Sequence, residues 1–274
     1  MGRCGKQLTM VDNSGTSALI AGGTQGLGIA VAKCLIRQGC TRLTITGRNA
    51  DRGEAAAAQL RDAGADCLFV ACDAADTADC EAAVAAAIDH HGHVNALVNS
   101  AADTSRGSLT DTTPELFDRH MAINVRGPFF MMQGVVRHLL ETGKPGSMVN
   151  ILSTSAHVGQ SFLSAYSTSK GGLVTLTKNT ANAYRTNLIR CNGVAPGWMD
   201  TPGEHVVQKT FHGKSSAPHA RRAYPSSRVQ RHCSGSGWSD RRWPYSWSAS
   251  PARLSMSNRP TGSFARHVPR STEC

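Results

Sequence analysis

The chain has 274 residues, 40% of them hydrophobic, and a formal net charge of +10 at neutral pH. That length accommodates one large α/β domain with a sizeable core, and that hydrophobic share excludes a chain disordered throughout. No apolar run approaches the ~20 residues of a membrane-spanning helix, no apolar leader opens the chain, and neither end carries a lipidation box, so the sequence predicts a soluble cytoplasmic protein.

Residues 17–22 (SALIAG) read as a short apolar strand. Residues 26–38 then space Ile29, Ala30, Ala32 and Leu35 along one face of a helix. A strand at 42–46 (RLTIT) precedes an alanine-rich helix at 51–63, with Asp51 as its expected N-cap. The alternation continues with a strand at 67–72, a helix at 77–90, a strand at 96–99 and a long helical stretch after Pro114. It ends with a strand at 147–152, a helix at 165–185 and a sixth strand at 188–194. Alternation with short connections predicts an α/β fold, a doubly wound parallel sheet of Rossmann type with helices on both faces. Continuous apolar runs fit strands buried on both sides.

Composition changes near Gly213. Residues 1–202 hold 17 Lys+Arg against 16 Asp+Glu, whereas residues 203–274 hold 12 against 3. Residues 203–274 also contain only five Leu/Val/Ile and two Phe among 14 Ser, 10 Arg and 6 Pro. That is far below the ~20% Leu+Ile+Val+Phe of a chain that packs a core. Three parts are expected: an N-terminal extension (1–14), a Rossmann-type domain (15–212) and a disordered basic tail (213–274). The abrupt switch is what a change of reading frame near codon 213 produces; translating the other two frames tests it. A basic arm for nucleic acid is the competing reading, but Trp238, Trp243 and Trp247 sit in no recognisable module, so no nucleic-acid or membrane partner is expected. The nine cysteines are scattered without a Cys-x-x-Cys pair and read as small buried hydrophobes.

The first strand runs into Gly22-Gly23-Thr24-Gln25-Gly26-Leu27-Gly28, and a helix follows at once. Such a turn brings backbone N–H groups and a helix N-terminus to an incoming pyrophosphate. The second strand ends in Gly47-Arg48-Asn49. An acidic residue there would bind a ribose 2′-hydroxyl and repel a 2′-phosphate; Arg48 attracts the phosphate instead. The expected cofactor is therefore NADP rather than NAD.

From here the sequence resembles the short-chain dehydrogenase/reductase family, in its classical branch, over about residues 17–202. The family's Thr-Gly-x-x-x-Gly-x-Gly is matched at 21–28 with Ala21 in place of Thr. Asp73, followed by Ala74, matches the acid near the adenine ring. Asn99-Ser100-Ala101-Ala102 stands where the family has Asn-Asn-Ala-Gly, two departures, of which Ala102 narrows the space beside the cofactor. Asn124 matches the family's helix asparagine, and Ser153 precedes Tyr166 by 13 residues, the family's spacing. Tyr166 to Lys170 is its Tyr-x-x-x-Lys, and Pro196-Gly197 with Thr201 matches the segment that touches the nicotinamide carboxamide. The resemblance implies a catalytic set of Asn124, Ser153, Tyr166 and Lys170. Asn124 would hold a water that links Lys170 to solvent. It also implies a homodimer or homotetramer built on the helices around Met131 and after Ala165.

The residue types suit carbonyl–alcohol chemistry. Tyr166 and Lys170 lie four apart, on one helix face. A phenol with a pKa of ~10 is a poor base near neutrality, and an adjacent ammonium lowers that value. Tyr166 then protonates a carbonyl oxygen or deprotonates an alcohol, and Ser153 holds that oxygen, with Ser155 as its rival. The alternative, given the tail, is a non-catalytic or impaired dinucleotide-binding protein. His90, His91 and His93 read as a helix C-terminus, with no carboxylate expected beside them to complete a metal site.

Overall fold

The computed structural model describes residues 12–201, His205 and the backbone of Gln230–His232. Strands β1 (Ser17–Ala21), β2 (Arg42–Gly47), β3 (Asp66–Ala71), β4 (Ala96–Asn99), β5 (Gly146–Ile151) and β6 (Ile189–Ala195) alternate with helices α1 (Gly26–Arg37), α2 (Ala50–Asp62), α3 (Thr77–His91), α4 (Pro114–Met121), α5 (Gly127–Thr142) and α6 (Ser164–Ala183). The six strands are parallel in the order β3-β2-β1-β4-β5-β6. The order reverses between β1 and β4, and a crevice opens there at the carboxyl ends of the strands. The fold predicted from the alternation is the fold observed.

Successive residues of β1 face opposite sides of the sheet. Leu19 packs with Leu97, Met148 and the inner faces of α3 and α5, including Val84, Val135 and Leu139. Ile20 packs with Ile45, Ala32 of α1 and Leu60 of α2. Both layers are fully buried, which explains why the strands read as unbroken apolar runs.

Three local features depart from the sequence reading. Asn49, not Asp51, caps α2: its side chain accepts the Arg52 N–H at 2.7 Å. The stretch after Pro114 is not one regular helix but α4 and α5 joined by a π-helical turn, Ala122–Arg126. That turn carries Asn124, whose side chain bonds the backbone of Asp103 across the structure; such bulges re-aim a side chain at a cost in helix regularity. Finally, Gln230–His232 (β7) pairs antiparallel with Gly193–Ala195 of β6. No strand was expected after Gly213, because three residues leave no period to read.

Asp66, at the start of β3, lies beside the end of α3. Its carboxylate is 3.0 Å from His90 Nε2 and 3.4 Å from His91 Nδ1. The sequence reading found no carboxylate there, since only the fold brings β3 and α3 together. No helix among the described residues is long and apolar enough to cross a membrane. Residues 1–11 of the N-terminal extension, the 203–213 stretch apart from His205, the tail with its tryptophans apart from the backbone of Gln230–His232, and the frame change lie outside the described residues.

Candidate active site

The glycine turn between β1 and α1 builds one end of the site. Gly22 has φ +75°, and a Cβ there would lie 2.6 Å from the Ala101 backbone nitrogen. Gly28 is packed rather than exposed: its Cβ would sit 2.1 Å from the Gly22 carbonyl oxygen. The two glycines thus let α1 start hard against the end of β1. Helices α2, α3 and α4 begin with side-chain caps from Asn49, Asp76 and Thr113, whereas α1 has none and no acidic residue in its first turn. Its first N–H groups have no intrahelical acceptor. This uncapped, uncharged N-terminus suits the diphosphate of a dinucleotide.

A cleft of about 340 Å³ extends from this turn across the carboxyl ends of the strands. It is lined by Gly22, Thr24, Gln25, Gly26 and Leu27, by Arg48, Asp73, Ala74 and Ala101, and by Pro196, Gly197 and Thr201. Thr201 lies over the glycine turn, with its methyl 3.7 Å from where a Gly26 Cβ would be. Three expected cofactor residues lie outside the lining. Gly28 packs inside the turn, Asn49 caps α2, and Asn99 is buried with its amide on Asn150 at 2.8 Å. Arg52, which the sequence reading missed, lines the cleft near Arg48. It follows Arg48 by four residues, in the first turn of α2, and no motif marks it.

Ser153, Tyr166 and Lys170 line the other end of the same cleft. Lys170 is 2% exposed, and its ammonium donates to the Ile151 carbonyl at 2.7 Å. That ammonium lies 5.9 Å from the centre of the Tyr166 ring. Burial pushes the Lys170 pKa down to about 8, so the group is still mostly charged at neutral pH. Ser153 Oγ accepts from Ser155 N–H at 3.2 Å and from Ser155 Oγ at 2.9 Å. Both bonds end on the Ser153 oxygen, which leaves its own proton to be donated into the cleft. Ser155 is the more buried of the two, and it lines the cleft as well.

Asn124 does not line the cleft. It is fully buried; its Oδ1 accepts the Asp103 N–H at 2.9 Å, and its Nδ2 donates to the Asp103 carbonyl and to Ser169 Oγ, both at 3.0 Å. Ser169 Oγ in turn donates to the Tyr166 carbonyl at 2.7 Å. Further side chains reach the cleft that the motifs did not mark. The Arg106 guanidinium lies 5.3 Å from the ring centres of Phe162 and of Trp198, and Gln160 lines the same end. These residues sit in loops outside any motif, where a single sequence carries no signal.

A doubly wound sheet with an anion-ready glycine turn at one end of the crevice and a tyrosine–lysine pair at the other defines a dinucleotide-dependent oxidoreductase. Residues 16–211 match the short chain dehydrogenase family. The chain is 40% identical over 189 residues to 2-(R)-hydroxypropyl-CoM dehydrogenase of Xanthobacter autotrophicus, covering 68% of this chain and 75% of that one. It is 34% identical over 191 residues to an NADP-dependent (R)-specific alcohol dehydrogenase of Lentilactobacillus kefiri, covering 69% and 75%. Among solved structures it is similar to a variant actinorhodin polyketide ketoreductase with NADPH, at a TM-score of 0.70 and 30% identity over 75% of this chain and 79% of that one. The chain belongs to the short-chain dehydrogenase/reductase family, whose members bind NAD(P) and transfer hydride between alcohols and carbonyl compounds.

Proposed function

We propose that this protein uses NADP(H) to interconvert a carbonyl compound and a secondary alcohol, with Tyr166 as general acid and base. The observation that carries this reading is the placement of Ser153, Tyr166 and Lys170 on the cleft that begins at the glycine turn. Arg48 and Arg52 at the adenosine end support NADP over NAD, because two guanidiniums attract a 2′-phosphate. Asp73, Ala74 and Ala101 would flank the adenosine and ribose, and Pro196, Gly197 and Thr201 the nicotinamide. The relatives' NADP and NADPH point the same way.

When bound, the cofactor supplies or accepts the hydride. The chain's own residues do the rest. Ser153 donates a hydrogen bond to the substrate oxygen and stabilises the charge that grows there. The Lys170 ammonium, fixed by Ile151, favours the phenolate and so makes Tyr166 a usable proton donor and acceptor near neutrality. The engagement of the Asn124 amide by Asp103 and Ser169 supports a positioning role for its side chain, through the backbone of Tyr166, beside the water relay the resemblance implies.

We read the catalytic domain as residues 15–212, in keeping with the family match over 16–211. Phe129 and Leu140 stand exposed on α5, the helix on which a homodimer or homotetramer is expected. The test is NADPH oxidation with a panel of ketones, beside Tyr166→Phe. Turnover in the parent, lowered ~10²–10⁴-fold in the variant, is expected. NADPH binding without turnover of any ketone would instead favour the non-catalytic alternative.

A further inference from the structure

The wall of the cleft beside Tyr166 carries a charge that the mechanism above does not use. Arg106, in the loop after β4, is half-buried and lines the cleft together with Ser153, Tyr166 and Lys170. Both of its neighbours in the chain are tied down. The Ser105 carbonyl oxygen lies 3.1 Å from His120 Nε2. Gly107 donates its N–H to the Phe162 carbonyl at 3.1 Å, and the Gly107 carbonyl accepts the Ser164 N–H at 3.0 Å. Ser164 opens α6, and Tyr166 follows it by two residues. The backbone that carries Arg106 is thus pinned to the start of the helix that carries Tyr166. The side chain is held too, with its guanidinium carbon 5.3 Å from the ring centres of Phe162 and of Trp198. Neither ring has a net charge, so these contacts place the cation without cancelling it. Asp73 is the one acid among the described residues of the lining. It follows β3, three strands from β4 in the sheet, a separation of roughly 14 Å.

We infer that Arg106 selects the substrate: the carbonyl compound carries an anionic oxygen group, the simplest being a carboxylate, which the guanidinium binds while Ser153 and Tyr166 hold the carbonyl oxygen. The inference rests on the oxidoreductase reading above and adds the substrate class to it. The two cations at this end divide the work. Lys170 is 2% exposed and its ammonium donates to Ile151 beneath Tyr166, so it acts on the phenol. Arg106 stands on the wall and acts on what lies beyond the reacting carbon. Its planar fork of N–H donors matches the two oxygens of a carboxylate, a match that a point charge lacks. Because the loop and both rings fix the fork beforehand, little ordering is lost when the anion arrives. A neutral substituent at the same place gains none of this attraction.

The experiment is NADPH-dependent reduction of matched pairs by the full chain: 3-oxobutanoate, 4-oxopentanoate and 5-oxohexanoate, each against its methyl ester. The three lengths vary the distance from carbonyl to charge. The readout is the ratio of kcat/KM for the acid to that for its ester. Each ratio is internal to one protein, so a loss of folded enzyme cancels, and a merely structural role for Arg106 would lower both members of a pair and leave the ratio alone. At the best length the parent is expected to favour the acid about ten- to hundredfold, the usual worth of a hydrogen-bonded charge. Arg106→Met is expected to bring the ratio to about one, Arg106→Lys to leave it between those values, and Arg106→Glu to invert it. A parent that treats acid and ester alike at every length, or favours the ester throughout, overturns the inference and leaves the oxidoreductase reading standing. So does a preference for the acid that Arg106→Met and Arg106→Glu both retain. NADPH binding without reduction of any acid or ester overturns the oxidoreductase reading, and this role with it.

Discussion

The two ends of the cleft are built on opposite principles. At the adenosine end the charged groups, Arg48 and Arg52, stand exposed on a loop and a first helical turn, and what is rigid is backbone: the Gly22 turn and the start of α1. At the reacting end the polar groups behind the surface are buried. Lys170, Ser169, Asn124 and His120 are each no more than 2% exposed, and the last three are joined through Asn124. On the proposed reading the first end would hold a ligand by charge, which tolerates displacement and is screened by salt. The second sets directions of individual hydrogen bonds in a low-dielectric surrounding, where small errors are expensive. Substitutions should therefore act as binding defects at one end and as rate defects at the other.

The largest effects belong to the buried end. Lys170→Met keeps the aliphatic volume and removes the ammonium, so the Tyr166 phenolate loses its stabilisation. Ketone reduction should fall ~10²–10⁴-fold in kcat, with the NADPH dissociation constant changed much less. The same lysine predicts an alkaline limb. Below its pKa of about 8 the ammonium is present; as pH rises through that value the charge is lost and Tyr166 becomes the weaker acid. Parent kcat/KM for reduction should decline above about pH 8, and Lys170→Met should lack that decline. Ser153→Ala should lower kcat ~10²–10³-fold, as expected for one lost donor to a developing oxyanion. Ser155→Ala should cost less, since the Ser155 hydroxyl proton is engaged by Ser153 Oγ. An equal loss in both would mean that Ser155 meets the substrate itself.

At the exposed end the effects should be smaller and of the other kind. Arg48→Ala or Arg52→Ala should weaken NADPH binding about tenfold, leave NADH binding nearly unchanged and keep kcat at saturating cofactor. The loss should shrink as salt is raised. An equal weakening of NADPH and NADH would remove the 2′-phosphate from the argument and leave only a general attraction for the cofactor.

How far the sequence revealed each end follows from the same contrast. The glycine turn, Arg48 and the Tyr166–Lys170 pair are local patterns, because a turn, a strand end and one helical turn fix them within a few residues. The doubly wound parallel sheet was legible for a similar reason: short connections between alternating strands and helices leave few topologies. The support behind Tyr166 was not legible. Asn124 bonds Asp103 and Ser169, which are 21 and 45 residues away in sequence, and His120 reads as an ordinary polar residue on a helix until the loop at Ser105 closes over it. The π-helical turn that aims Asn124 leaves no trace in a stretch that reads as one helix. Asp66 meets His90 and His91 for a similar reason, through a strand register that no local pattern encodes.

Asn49 sharpens the boundary between the two kinds of effect, because the sequence assigns it to the cofactor and the structure gives it a helix. Its side-chain oxygen accepts the Arg52 N–H at 2.7 Å and caps α2. Asn49→Ala should therefore destabilise the fold by about 1 kcal/mol, the usual cost of a lost cap. Thermal unfolding should shift down by a few degrees, roughly 2–4 °C for a domain of this size. Because α2 also carries Arg52, fraying of its first turn should raise the NADPH dissociation constant by no more than about twofold, and Asn49→Asp, which caps equally well, should restore stability. An Asn49→Ala protein that melts like the parent but binds NADPH tenfold more weakly would return Asn49 to the cofactor. It would also show that the exposed end depends on side-chain direction as closely as the buried one.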